Sequence, residues 1–332
     1  MEQIVKAYID SVRLGQPQAH NNLCLFPLVS GHRDSLDYLS LDEALEGKLI
    51  SVAEVSEGGS VPELSVVNKS GSMVLILDGE ELVGAKQNRI VNTTILVAAG
   101  ARTVIPVSCV EQGRWAYETP EFRSEGRVMA SKMRASKAEQ VQFSLKTSGR
   151  FESDQGAIWS EIRDLAHGKG AESPSMAMSA VYRKERPRLD EYARRFRPVE
   201  GQVGAVFVIN GVVAGMDCFG KPETFAKVLR KLVESYAVDA LDRKETGGPG
   251  EAETAKVAAG FVGGAAACRL ESRPSVGLGT DCRLESGGAT GFALVHEGQL
   301  LHMSLFAKQR GASGGEPFTR MARFSQRRSR TR

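Results

Sequence analysis

Apolar residues recur along the chain at two spacings, and the spacing changes twice. From Leu23 to Val110 they fall in short runs bounded by turn residues: Leu23 to Val29, Leu49 to Val55, Glu63 to Asn68, Met73 to Leu77, Glu81 to Val83, Arg89 to Ala98 and Thr103 to Val110. The separators are Gly58-Gly59, Lys69-Ser70-Gly71 and Asp78-Gly79. Runs of this kind read as strands, and spacers this short join antiparallel neighbours, so the pattern predicts a meandering sheet. Two short helices interrupt it. Residues 4 to 13 place Val5, Tyr8, Ile9 and Val12 on one face, and Leu41 to Leu45 carries Asp42 and Glu43 where acids favour a helix start.

From Arg127 to about Arg197 the pattern becomes helical, charged and rich in Met and Ala, with breaks at Gly149-Arg150, Gly168 to Pro174 and Pro187. Ile158, Trp159, Ile162 and Leu165 form one apolar stripe. This region is expected to cover the sheet or cap a site. Strands then return. Val203 to Ile209 and Val212 to Met216 flank Asn210-Gly211, a strong hairpin signal. A helix follows with Pro222 in its first turn and Phe225, Val228, Leu229, Leu232, Val233 and Tyr236 at core spacing. Residues 243 to 254 read as a loop, Ala255 to Leu270 as a weaker helix and Val276 to Leu284 as a strand. A second hairpin, Gly291 to His296 and Gln299 to Phe306, turns at Glu297-Gly298. Aligning the two turns pairs Met216 with Met303 and Phe219-Gly220-Lys221 with Phe306-Ala307-Lys308. Either a duplicated unit or chance likeness between apolar hairpins accounts for this.

The predicted fold class is therefore α+β: an antiparallel β-rich part over 20–115, a helical middle over 125–200, and hairpins with packed helices over 201–308. These are expected to make one domain over 1–310, followed by a disordered basic tail over 311–332.

With 332 residues, 42% hydrophobic and 25% charged, the chain has the composition of a globular protein able to bury a large core. Its net charge of +3 is too small to point to a nucleic-acid partner, and much of it sits in Arg320, Arg323, Arg327, Arg328, Arg330 and Arg332. No apolar run approaches the ~20 residues that span a bilayer, and no leader segment is read, so no membrane contact is expected. The five cysteines are scattered without a C-x-x-C pair, which reads as reduced thiols in the cytoplasm. No zinc-type spacing, phosphate loop, dinucleotide fingerprint or nucleophile elbow occurs, so neither metal nor cofactor is expected.

The chemistry concentrates between Asp78 and Trp115. Glu80, Glu81, Lys86, Gln87, Asn88, Arg89, Asn92, Glu111, Arg114 and Trp115 lie in or beside apolar runs, and charges held near a core are costly unless paired or facing a ligand. Glu80 and Glu81 are adjacent on a strand, so one of them at most reaches a shared pocket, there to act as acid or base. If the chain turns back over Gly84 to Asn88, Glu81 and Arg89 become cross-strand neighbours; if it runs straight, Lys86, Asn88 and Asn92 share a face. A lysine, an arginine and two amides suit a phosphate or carboxylate, or else an internal network fixing a bend. Trp115 either stacks on a nucleotide ring or plugs one end of the sheet. Cys109 reads as a structural thiol, Asp217 as a cap on the helix near Pro222, and His302 as a core histidine.

The blocks D-G-E-E-L-V-G-A-K-Q-N-R, V-S-C-V-E-Q-G-R-W, G-M-D-C-F-G, S-V-G-L-G-T-D-C-R-L and L-H-M-S-L-F occur in this order. Together they resemble the ARG and Rhodanese-Phosphatase-superfamily-associated protein domain over residues 10 to 308. That name implies association with ADP-ribosylglycohydrolase and phosphatase-type proteins. The resemblance thus implies processing of ADP-ribose or a related NAD-derived phosphorylated nucleotide by hydrolysis or group transfer, or else a binding module for such a ligand or an ADP-ribosylated partner. Glu80, Glu81 and Lys86 would be the catalytic groups. Gln87, Asn88, Arg89, Asn92, Glu111, Arg114 and Trp115 would hold the ligand, and proteins of the same pathway would be partners.

Overall fold

The computed structural model describes residues 1–56, 62–243 and 250–308. The Gly58-Gly59 turn, much of the 243–254 loop and the basic tail lie outside the described residues. The architecture is α+β, with mainly antiparallel sheets at both ends of the chain and helices between. No helix among the described residues is long and apolar enough to cross a membrane.

The largest sheet has nine strands, all paired antiparallel. Its order is Arg13–Leu14, Leu23–Val29, Gln202–Ile209, Val212–Phe219, Gln299–Ala307, Ala289–His296, Thr280–Glu285 and Arg269–Pro274, with Gln18–His20 also on Leu23–Val29. Helices cover both faces. Pro222–Leu241 and the middle helices pack on Leu25, Phe207 and Leu294, while Glu2–Ser11 and Glu251–Ala265 pack on Phe26, Val206 and Met303. Burial on both sides explains why Leu23–Val29 reads as an unbroken apolar run.

The remaining strands form two smaller sheets. One runs Phe122–Val128, Glu80–Gly84, Arg89–Val91, Arg102–Cys109, Glu63–Asn68 and Ile50–Glu54; the other runs Ile95–Val97, Met73–Ile76 and Tyr38–Ser40. Val52, Val66, Ile76, Leu82, Ile95 and Ile105 fill a core common to both.

Four features depart from the sequence reading. Arg89 to Ala98 is two strands, because Thr93 and Thr94 turn out of the ladder to hydrogen-bond Asp281 and His302. The early strands do not meander through one sheet: Leu23–Val29 joins the distant hairpins, and Tyr38–Ser40 pairs parallel with Met73–Ile76. Strands Phe122–Val128 and Arg269–Pro274 escape the pattern because both are sheet edges with charged side chains, where alternation is weak. Lastly, helix Ser131–Thr147 lacks an apolar stripe because it buries Arg134, Lys137, Gln140 and Gln142.

The two hairpins are related by geometry. Asn210 and Gly211 have φ of 50° and 76°, and Glu297 and Gly298 have 47° and 75°, so both turns are of the left-handed type that matches strand twist. The offset is 87 residues (297 minus 210). The irregularity at Phe207/Val208 then falls on that at Leu294/Val295. The inner strands of the hairpins pair across the centre of the sheet, Asp217 opposite Ser304, and 217 plus 87 is 304. A pseudo-two-fold axis therefore passes through this pair. Gly204 and Gly291 are equivalent as well. A Cβ there would sit 2.4 Å from Asp217 O and 2.1 Å from Ser304 O respectively. Gly291→Ala is accordingly expected to destabilise the fold by about 1–3 kcal/mol through overpacking, read from urea unfolding, with Gly288→Ala, which has open space, unchanged.

Candidate functional site

The chain turns back between Glu80–Gly84 and Arg89–Val91, with Glu81 opposite Ile90 and Leu82 opposite Arg89. Gly84 permits the turn. Its φ is +126°, and a Cβ would lie 2.4 Å from Thr119 Oγ1. The turn presents Lys86, Gln87 and Asn88, and the register separates Glu81 from Arg89.

Glu80 and Glu81 point to opposite sides, as adjacent strand residues do. Glu80 is buried against Lys231 Nζ on helix Pro222–Leu241 and accepts the Leu77 N–H at 2.7 Å. Lys231 also reaches Asp42 at 2.7 Å, and these two acids hold its ammonium above the ordinary lysine value against the opposing effect of burial. Glu81 is fully buried and accepts from Arg127 Nε at 2.9 Å, so the expected Glu81–Arg89 pair is replaced by Glu81–Arg127. Neither acid meets the other candidate residues. The strand carrying Arg127 was not visible in the sequence pattern, which is why the partner was missed.

Glu111, Arg114 and Asn88 make a staple. Arg114 donates from Nε and Nη2 to Glu111 Oε2 at 3.0 and 2.7 Å. Further bonds reach Asn88 Oδ1 at 3.1 Å, the Gly84 carbonyl at 3.2 Å and the carbonyls of Ala85 and Ala116. Glu111 also accepts from Asn88 N at 3.1 Å and Ser175 Oγ at 2.6 Å. Burial would raise its carboxyl, but Arg114, Ser175 and the Asn88 N–H together hold it below its ordinary value. The guanidinium expected to grip phosphate thus fixes the loop after Cys109 to the Gly84–Asn88 turn. Asn92 is remote from this staple, bonding the Phe151 carbonyl at 3.0 Å and Ser108 at 2.8 Å.

Lys86, Gln87, Arg89 and Trp115 do come together. Trp115 is 48% exposed, so it is not a plug, and Tyr117 beside it is 52% exposed. Lys86 Nζ lies 5.4 Å from the Trp115 ring and 5.1 Å from the Tyr117 ring, within cation–π range. Arg89 Cζ lies 5.7 Å from the Trp115 ring, yet Arg89 is fully buried. Its Nη1 donates to the Gln87 carbonyl and Gln87 Oε1 at 3.1 and 3.2 Å. Its Nε and Nη2 have no hydrogen-bond acceptor among the described residues. The nearest acid is Glu54, with Oε1 3.7 Å from Nη2 and both oxygens likewise without a hydrogen bond. Burial holds the Arg89 guanidinium below its ordinary value despite nearby acids. Cys109, across the ladder from Arg89, is buried with its thiol pushed up to about 11 by burial, as befits a structural thiol.

Sequence reasoning missed Glu54 and Tyr117. Tyr117 carried a signal in the Trp-x-Tyr spacing at a strand end. Glu54 carried none, since sheet pairing alone brings it to Arg89.

Two other polar groupings lie elsewhere in the molecule. Between the sheets, Asp217 accepts from Arg134 Nη1 and Nη2 at 3.2 and 2.6 Å, from Tyr236 at 2.9 Å and from Ser304. It therefore does not cap the helix near Pro222, whose N-cap is Lys221. His302 meets Thr94 at 2.7 Å and Ser304 at 3.2 Å and stacks on Phe219, while Lys137 pairs with Asp78. All are sealed from solvent and bonded to one another. A surface cleft of about 330 Å³ lies between Arg33, Tyr38, Ser40 and Glu43 and the start of helix Pro222–Leu241. Its cations are already paired: Arg33 with Glu223 at 2.7 Å, Lys227 with Glu43 at 2.5 Å, and Lys221 with Asp34 at 3.6 Å. The interior cluster also holds unbonded atoms, Arg134 Nε and Asp78 Oδ2, 3.7 Å apart, but both are sealed in the core, whereas the unbonded Arg89–Glu54 pair lies against the half-exposed Trp115 ring.

No curated protein and no solved structure matches the chain. A family model does, across residues 11–306, which takes in every block quoted above and the whole Lys86–Trp115 region. The chain belongs to the ARG and Rhodanese-Phosphatase-superfamily-associated Protein domain family.

Proposed function

We propose that the protein binds an ADP-ribose-like, NAD-derived phosphorylated nucleotide at Arg89, Lys86, Trp115 and Tyr117, and that recognition rather than turnover is its role. One observation carries this reading: Arg89 is buried with two nitrogens, Nε and Nη2, that meet no acceptor among the described residues, directly under a half-exposed indole. Leaving a charged donor buried and unbonded costs on the order of 1–3 kcal/mol or more, which a phosphate oxygen would offset. Lys86 adds a second cation, and Trp115 and Tyr117 offer rings on which a base can stack. The family's name, which ties it to proteins of ADP-ribose chemistry, agrees with that ligand. Recognition is favoured over hydrolysis because Glu80 and Glu81, the expected acid–base pair, are held by Lys231 and Arg127 away from this place.

The test is calorimetric titration of the full chain with ADP-ribose, NAD and AMP, followed by product analysis after long incubation. Binding without conversion is expected. Trp115→Ala should weaken it by roughly 5- to 150-fold, the range of one lost base–aromatic stack. Absence of heat and of any thermal shift with all three compounds would overturn the reading. Conversion abolished by Glu80→Gln or Glu81→Gln would restore the hydrolytic one.

A further inference from the structure

We infer that Glu54 is a specificity residue, selecting ligands that carry a free ribose hydroxyl beside the phosphate. The inference rests on the nucleotide-binding reading and deepens it. Glu54 ends strand Ile50–Glu54, and its side chain is 3% exposed. Neither oxygen accepts a hydrogen bond from the described residues, and the nearest cation atom, Arg89 Nη2, stands 3.7 Å off, beyond hydrogen-bond reach. Two buried groups of opposite charge thus sit side by side, each with capacity unused: N–H donors on Arg89, acceptor oxygens on Glu54.

That combination restricts what can fill the site. An ionised carboxylate only accepts, and a phosphate at neutral pH presents acceptor oxygens almost exclusively. An inorganic phosphate or pyrophosphate drawn to Arg89 would set anionic oxygen against Glu54, a like-charge contact in a poorly screened place. The group that satisfies both carries an acceptor on one side and an O–H donor on the other. A ribose phosphate does, with phosphoryl oxygen toward Arg89 and a hydroxyl donating to Glu54. The paired hydroxyls of an unmodified ribose match the two carboxylate oxygens. Trp115, 5.7 Å above Arg89 and half in solvent, is the side chain that must swing to admit the sugar.

The experiment titrates full-length wild type, Glu54→Gln and Glu54→Ala with AMP, 2′,3′-dideoxy-AMP and inorganic pyrophosphate. For wild type, AMP should bind at least about tenfold tighter than the dideoxy compound, the effect of leaving a buried acceptor without its donor, and pyrophosphate should bind weakest. In Glu54→Ala, which removes the acceptor, the ribose preference should shrink to less than about threefold, and in both variants pyrophosphate binding should rise, because the repelling charge is gone. That gain cannot come from a misfolded chain. Equal binding of AMP and its dideoxy analogue by wild type, or a preference that survives Glu54→Ala, overturns the inference and leaves nucleotide binding standing. Failure of wild type to bind AMP removes both.

Discussion

Asp217→Ala is expected to lower the free energy of unfolding by about 3–5 kcal/mol, the cost of removing one partner from a buried ion pair. The size follows from what is left behind. Arg134 is 1% exposed and directs two nitrogens at this carboxylate, and Tyr236 and Ser304 donate to it as well. All three donors are buried, so bulk solvent does not replace the lost acceptor. Asp217→Asn should cost nearly as much, because the amide keeps the shape but leaves the Arg134 charge unmatched. Burial alone would raise the Asp217 carboxyl, but Arg134 and His302 hold it far below the ordinary carboxylate value. A depressed folded pKa means stability that is present in full above the unfolded value near 3.9 and lost as pH falls from there through the folded value. Urea unfolding of wild type and Asp217→Asn should therefore give a constant gap from pH 5 to 7 that narrows below about pH 4. A gap under 1 kcal/mol at pH 7, or one that widens in acid, would refute the assignment.

Arg114→Ala is expected to cost about 1.5–3 kcal/mol, the range for hydrogen bonds to a charged group, and to weaken nucleotide binding although Arg114 bonds internal groups rather than the proposed site. Its guanidinium ties Glu111, Asn88 and the carbonyls of Gly84, Ala85 and Ala116 into one block. Trp115 and Tyr117 project from that block, so releasing it should loosen the rings over Lys86. Two measurements separate this from direct ligand contact. Tryptophan fluorescence anisotropy should fall in the ligand-free variant, and Arg114→Lys, which keeps the charge but not the fork, should behave like alanine. A lysine variant that binds normally would show that charge alone matters there.

Much of the fold was legible because burial on one or both faces leaves periodic apolar residues. Both hairpins and the helix around Phe225 to Tyr236 fall where the pattern put them. What escaped were elements defined by partners rather than by their own residues. Helix Ser131–Thr147 turns Arg134 and Lys137 inward because Asp217 and Asp78 wait there, and nothing local marks such a pair. Most of the polar residues from Lys86 to Glu111 are buried, a density unusual for a core. Its division was hidden: Glu80, Glu81, Asn92, Glu111 and Arg114 each bond a side chain or backbone group of the interior, while Arg89 keeps two nitrogens without an acceptor among the described residues. Spacing along a strand gives the side a residue faces, but not whether its counterpart has already been supplied. For the same reason nothing local marks Glu54, which reaches Arg89 from a strand two places away in the sheet from Arg89's ladder partner.

The axis through Asp217 and Ser304 sets a rule on what those two places can hold. A residue lying on a two-fold faces its own counterpart, so identical acids there would repel across adjoining strands and share the one guanidinium, Arg134, that now bonds Asp217. One half of the molecule can keep a carboxylate at the seam only if the other half gives it up. The hydroxyl at 304 is that concession, and it makes the seam of a nearly symmetric sheet the place where its halves must differ.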